Sequence, residues 1–323
     1  MKSFFLCSTE PNEILASVKP EWNDKVQLSI NEKLSFLNYQ LSSVFPWKEE
    51  LSDGIEYEKF CASFFIQPDL FIRLRPGKED KVKLKLKQAG IDFETISPTC
   101  LALPNASGID KILKLDKEAI IQDYNSQRTG EYLPLIVDHV SLTVWDCCAG
   151  SGGKSIMAYD INPNIKLTVS DVRKSILANL KKRFEKAGIK KYKSFVIDLT
   201  SNPQPATRNF DLIIADVPCT GSGTWSRTPE QLYFFEKEKI DFYASLQKKI
   251  IVNVVPHVKP GGYLLYITCS VFRKENEEVA KFINTQSHLE LIKIPENSTG
   301  WKMLDGIEHN ADTMFVALFR KSI

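Results

Sequence analysis

Between residues 142 and 269 the chain carries five short apolar runs, "LTVWD", "KLTVSD", "KSFVID", "FDLIIAD" and "GYLLYITC", with stretches of helical spacing between them. Strands of this length alternating with helices predict an α/β fold built on a mostly parallel, doubly wound sheet. In such a sheet the loops that bind ligands lie at the carboxyl ends of the strands. Four of the five runs end in Asp and the fifth in Cys269, so carboxylates and sulfur are expected along one edge. The later runs "LELIKI" and "TMFVALFRK" can complete the sheet as an antiparallel edge.

Upstream the character differs. Apolar positions at helical spacing in "LSINEKLSFLNYQLSSVF" predict a helical segment within residues 1–60. Over 61–118, "LFIRLRP" alternates like a strand, "KEDKVKLKLKQAGI" has a helical pattern ending at Gly90, and "DFETISPTCLALP" is extended again. A small α+β unit is expected there, followed by the large α/β domain over 119–323.

"DCCAGSGGKS" (146–155) follows the first strand and opens a helix. Its glycines permit a tight turn and close approach of a ligand to backbone N–H groups at the helix start. Asp171, after the second strand, is placed to accept hydrogen bonds from both ribose hydroxyls, and Asp198, after the third, from an adenine amino group. Either carboxylate could instead be a helix cap. Three acids at successive strand ends exceed what caps require, so an adenosine-type cofactor follows. The loop lacks the phosphate-cradling G-x-x-x-x-G-K-[ST] pattern and the full dinucleotide G-x-G-x-x-G, which favours S-adenosylmethionine over a nucleoside triphosphate or NAD.

Cys219 follows Asp216, Val217 and Pro218 after the fourth strand, and Cys269 ends the fifth. Adjacent strands would bring both thiols to one crevice. Unpaired cysteine often just fills space, yet two at strand ends beside an adenosyl site suit methyl transfer to a carbon that is not nucleophilic by itself. A thiolate adding to C6 of a pyrimidine makes C5 the attacking atom. A second acid/base group then helps release the thiol, and Asp216 supplies a carboxyl to position the base. Such a base must be unpaired or extruded.

Together "DCCAGSGGKS", "SDVRKSILANLKKR", "VIDL", "ADVPCTGSGTWSRTPE" and "YITCSVFRKENEEV" resemble the RNA 5-methylcytosine methyltransferases of the RsmB/Nop2/Sun family, in order from about residue 120 to 320 and beginning with "IIQDYNSQRTGEYL". The resemblance implies a class I (Rossmann-like) S-adenosylmethionine-dependent methyltransferase sheet with a small N-terminal RNA-recognition-like region. It places the cofactor loop on Cys148, Ala149, Gly150, Ser151, Gly152, Gly153 and Lys154, the ribose carboxylate on Asp171, the adenine-side carboxylate on Asp198, and the Asp-x-Pro-Cys block on Asp216 to Cys219. It also implies that Cys269, in Thr-Cys-Ser, attacks C6 and that Cys219 assists release; spacing alone leaves the two roles interchangeable.

Two departures from the family pattern are visible. Gly150 and Ser151 replace its Ala-Pro before the paired glycines, which predicts a more flexible loop, and Asp312, Thr313, Met314 and Phe315 replace its Asp-Gly-Phe-Phe, read here as an edge-strand variation. With roughly 60 residues before the small unit, no separate NusB-like domain is expected ahead of it.

The net charge of +2 neither demands nor excludes a nucleic-acid partner. Lysines cluster at 78–87 and 179–193, either as solvated faces or, with Arg227, as phosphate contacts. Seven cysteines without regular spacing fit reduced thiols and no metal site. "MKSFFLCST" is too short in apolar residues for a signal sequence, and no membrane-length apolar run occurs, so a cytoplasmic monomer is expected. The expected activity is C5 methylation of a cytosine in RNA, ribosomal RNA before tRNA. A non-catalytic RNA-binding assembly factor and an NAD-dependent oxidoreductase are the rivals.

Overall fold

The apolar runs become strands because their β-branched and aromatic side chains can be buried on both faces of a sheet. The computed structural model describes residues 1–133, 141–201, 209–286, 288–293 and 300–322. A first, antiparallel sheet is formed by β1 (Leu70–Leu74), β2 (Glu94–Ser97), β3 (Cys100–Leu103) and β4 (Ala119–Ile121), in the order β2-β3-β1-β4. A second sheet of eight strands contains β5 (Thr143–Asp146), β6 (Lys166–Asp171), β7 (Tyr192–Val196), β8 (Phe210–Asp216), β9 (Val258–Thr268), β10 (Leu289–Leu291), β11 (Trp301–Leu304) and β12 (Met314–Lys321).

Its order is β10-β12-β9-β8-β5-β6-β7, with β11 also paired to β12. Strands β5 to β9 pair in parallel, and β10, β11 and β12 are antiparallel. From β5 the chain winds outward through β6 and β7, then returns to the other side of β5 with β8 and β9. The reversal lies between β5 and β8, and a crevice opens outside their carboxyl ends. Alternate residues feed opposite faces. Val144, Val169, Ile214 and Ile267 pack against Ile156 and Phe184 from the helices Gly153–Ile161 and Lys174–Ala187. Trp145, Ile213, Ala215 and Tyr266 pack against Ile251 and Ile283 from the helices Glu238–Val254 and Glu277–Gln286 on the other face.

The expected strand-helix-strand order of the small unit holds: Val82 and Leu86 of the helix Glu79–Gln88 cover Ile72, Leu74, Leu101 and Leu103. The unit also takes in β4, so its sheet runs three residues past 118. It is fastened to the large domain by buried charge. Arg73 and Arg75 reach Asp160 at 2.7 and 2.6 Å, with side-chain exposures of 7%, 11% and 5%.

The amino-terminal segment is helical, as expected, but the helix within "LSINEKLSFLNYQLSSVF" is shorter than its apolar spacing suggests. It runs from Ile30 to Phe36, started by a reciprocal Ser29–Glu32 capping box. The following residues leave the helix to build an aromatic cluster in which Phe45 and Phe60 meet Trp225 and Phe272 of the large domain.

Candidate active site

Strand β5 ends in Asp146 and turns through Cys147 to Gly152 into the helix that begins at Gly153. Gly152 has φ 86°, and a methyl group on it would press on Phe184 and Leu180, so the turn requires glycine. Gly150 and Ser151 do not loosen the loop. Gly150 N–H donates to Asp171 Oδ2 at 3.0 Å, Ala149 N–H to the Ser170 carbonyl at 2.9 Å, and Arg183 donates to both Ser151 oxygens. Ser151 is thereby turned toward the helix Lys174–Ala187 and held by it.

A cleft of about 570 Å³ lies outside the ends of β5, β6, β7 and β8. Cys148, Asp171, Asp198 and Asp216 all line it, with Ile197 and Leu246 among its apolar walls. Its size and mixed lining suit a nucleoside-sized ligand. Asp171 accepts from the Arg173 backbone N–H at 2.9 Å and from its guanidinium at 3.0 and 3.2 Å. Burial pushes this carboxyl up, but the Arg173 and Gly150 bonds outweigh it and hold the group below the usual carboxylate range. Asp198 lies two residues past β7, exposed, and accepts from the N–H and hydroxyl of Thr200 at 2.8 and 2.7 Å.

Lys154 points back from the helix to Asp216 at 2.7 Å and to Ser126 Oγ at 3.3 Å. Burial pulls its ammonium down, while Asp216, with Cys269 and Asp146, more than restores it, so the cation stands above its ordinary pKa. Asp146 is buried beneath it. One oxygen accepts from Ser155 Oγ at 2.6 Å and the other has no partner, and burial raises this carboxyl to about 7.

The two thiols meet. Cys219 and Cys269 Sγ lie 3.3 Å apart, both half-buried, 50 positions apart in the chain. The hydrogen bond to Cys269, and then burial, push the Cys219 thiol well above the ordinary cysteine range. Beneath them sits Glu275, fully buried. Its carboxylate accepts from Thr220 N–H (2.9 Å) and Oγ1 (2.6 Å) beside Cys219, from Ser270 Oγ (2.6 Å) beside Cys269, and from Gln247 Nε2 (3.0 Å). Burial still raises it above the usual carboxylate range. Gly223 N–H donates to the Cys269 carbonyl at 2.9 Å, and Thr313 N–H to the Gly223 carbonyl at 2.9 Å.

Two expectations are corrected. Arg227 is no free phosphate contact: it donates to Asp312 at 2.7 Å, Asp123 at 2.8 Å and the Asp69 carbonyl at 2.9 Å, joining three segments from within. Asp312 to Phe315 is no edge-strand variation. It starts β12, an inner strand between β9 and β11, where Phe315 pairs with Thr268 and Thr313 braces the Cys219 loop. Glu275, Ser126 and Asp146 were missed as functional candidates. Glu275 stood inside the quoted "YITCSVFRKENEEV", but nothing in the spacing marks it as buried.

Residues 137–320 match the profile of the family described as 16S rRNA methyltransferase RsmB/F. The chain belongs to this family. RsmB/F members are S-adenosylmethionine-dependent methyltransferases with the class I fold, so the expected family and architecture are borne out. The chain is 26% identical over 320 residues to the ribosomal RNA small subunit methyltransferase B of Shewanella oneidensis, covering 96% of this chain and 71% of that protein. It is 32% identical over 173 residues to the protein of the same name from Enterobacter sp., covering 53% of this chain and 40% of that one. The crystal structure of PH0851 superposes with a TM-score of 0.77 at 25% identity, over 95% of this chain and 75% of its own. Among the described residues no group of side chains could hold a metal ion, and no helix is long and apolar enough to cross a membrane.

Proposed function

We propose that this chain methylates C5 of a cytosine in RNA, ribosomal RNA rather than tRNA, through a covalent adduct between Cys269 and C6. The observation that carries the proposal is the pair of sulfurs 3.3 Å apart, with Cys219 just after Asp216 and Pro218 of the cleft lining. The ribosomal preference draws on the names of the relatives.

The donor set of the cleft fits S-adenosylmethionine: Asp171 for the ribose hydroxyls, Asp198 for the adenine amino group, and the turn Cys148–Gly153 at a helix start for the amino-acid end. Bound there, S-adenosylmethionine supplies the electrophilic methyl group. The remaining chemistry belongs to the chain. Cys269 acts as the attacking thiolate, with the Lys154 ammonium within electrostatic reach. That thiolate adds to C6, forming an S–C6 bond and moving the electron pair of the 5,6 double bond to C5, which takes the methyl while the donor's sulfur departs as a neutral thioether. Asp216, held by Lys154, is placed to hydrogen-bond the polar edge of the base. The C5 proton then leaves to a base, its electron pair re-forms the 5,6 double bond as the S–C6 bond breaks, and Cys269 returns as thiolate; in this reading Cys219, beside Cys269, assists that release.

Incubation with small-subunit ribosomal RNA and labelled methyl donor tests the assignment. Cys269→Ala should abolish both methylation and adduct. Cys219→Ala should accumulate an RNA–protein complex that survives denaturing electrophoresis. An active Cys269→Ala beside an adduct-free Cys219→Ala would reverse the two roles, and no label in either ribosomal RNA or tRNA would remove the enzyme reading.

A further inference from the structure

A second surface, at the opposite edge of the sheet from the thiols, carries an accumulation of charge that neither fold nor catalysis uses. An open groove of about 900 Å³ crosses the amino ends of β5, β6 and β7 and is rimmed by Lys166, Lys190 and Lys191, with Tyr192 and Asn164 between them. All three lysines are exposed. The rim continues onto the small unit. Arg75 donates through one nitrogen to the carbonyls of Asp116 (3.1 Å) and Ala187 (2.7 Å), which joins the stretch before exposed Lys117 of the small unit to the end of the helix carrying exposed Lys186, four residues before Lys190.

Nearby cations at the seam between the two units are neutralised. Arg73 and Arg75 share Asp160, Arg183 meets Asp116, and Lys81 and Lys85 share Glu118. Among the described residues none of Lys114, Lys117, Lys166, Lys186, Lys190 and Lys191 forms an ion pair. Unpaired like charges repel one another when close, and a polyanion that displaces their counter-ions relieves that repulsion. The belt is exposed, mixed with polar and tyrosine side chains, and runs across the seam between the two units, which suits an extended phosphate backbone.

We infer that this belt docks the phosphate backbone of the substrate RNA at a point remote from the target cytosine. The six-residue strand β6 separates Lys166 from the ribose carboxylate Asp171 by roughly 17 Å, so the belt engages a different segment of the same folded RNA. The small unit then contributes as one bank of a shared surface, and backbone contacts supply affinity without reading sequence.

The inference rests on RNA being the substrate, so binding is measured apart from methylation, by fluorescence anisotropy of the full chain on a small-subunit ribosomal RNA transcript. Lys190→Ala/Lys191→Ala should weaken binding about tenfold near 0.1 M salt and lower the slope of log K against log salt by roughly 1.5, two lysines at about 0.7–0.9 each. KM should rise in parallel while kcat stays within about twofold. Lys249→Ala/Lys281→Ala, two exposed lysines on helices of the other face, serves as the comparison and should change neither. An equal loss in both variants, or none in the first, overturns the inference. A parent chain that binds an acidic protein as well as it binds RNA overturns it too, and one that binds no RNA at all removes the proposed function with it.

Discussion

The two halves of the active site are built differently. On the side of the cleft formed by β6 and β7, Asp171 and Asp198 each take most of their bonds from a residue two positions on, Arg173 and Thr200. On the thiol half the fixing bonds span the chain, Thr220 to Glu275 over 55 positions, Ser222 to Ser270 over 48 and Ser52 to Glu277 over 225. The buried acids differ in the same sense. Asp146 under the cofactor loop has one oxygen without a partner, whereas every Glu275 oxygen is bonded. A cofactor that recurs at every turnover can be met by local turns, but two sulfurs on separate strands keep their spacing only if something buried joins them.

The hardest blow to this contrast is Glu275→Ala. It removes the buried acceptor that four donors beneath the thiols share, so it should cost about 3 kcal/mol in denaturant unfolding. Methylation and adduct formation should fall by about 10²–10³-fold, with S-adenosylmethionine affinity unchanged by calorimetry. Glu275→Gln, keeping the shape and one acceptor, should recover most of the stability and part of the rate. Equal losses in rate and cofactor affinity would show the halves to be one unit.

Asp146 sharpens the other side through pH. Its carboxyl titrates at about 7 in the folded chain and at about 3.9 unfolded, so between these values the folded state holds a proton that the unfolded state has lost. Stability should therefore fall as pH rises from 4 to 7, and Asp146→Asn should flatten the decline by at least about 1 kcal/mol in melts across that range. A variant with the parent slope would contradict the buried, half-satisfied state.

Gly152→Ala strains the left-handed turn by about 1 kcal/mol and presses on Phe184, so cofactor Kd should rise about fivefold to tenfold while RNA affinity holds. The smallest effect is expected from Arg173→Ala. Its guanidinium, 63% exposed, occupies the oxygens that ribose hydroxyls would use, and an exposed pair is worth under about 1 kcal/mol. Removing it should tighten S-adenosylmethionine by about twofold to fivefold; weaker binding would mean that Arg173 itself contacts the cofactor.

The same contrast explains what could be read from the sequence. The parallel strands, the glycine turn and Asp171 were legible because alternation and strand-end acids act over a few residues. Both thiols were legible as well, being attached to strand ends. Glu275 was not, because its burial depends on Thr220, Ser270 and Gln247 converging from three segments. Arg227 misled for a related reason: an arginine in a polar loop looks solvent-facing until Asp123 and Asp312 are brought around it. The lysine run at 78–87 is partly absorbed by Glu118, which only the pairing of β4 with β1 brings near.

Phe45, Phe60, Trp225 and Phe272 make one aromatic knot, and Leu51 and Ser52 bond to the chain at Phe272 and Val271 just beyond Cys269. The leading segment is thus a foundation stone of the catalytic half, and the molecule is not modular at the joint its composition suggests. A cut between residues 45 and 64 would therefore take the floor from under the paired sulfurs.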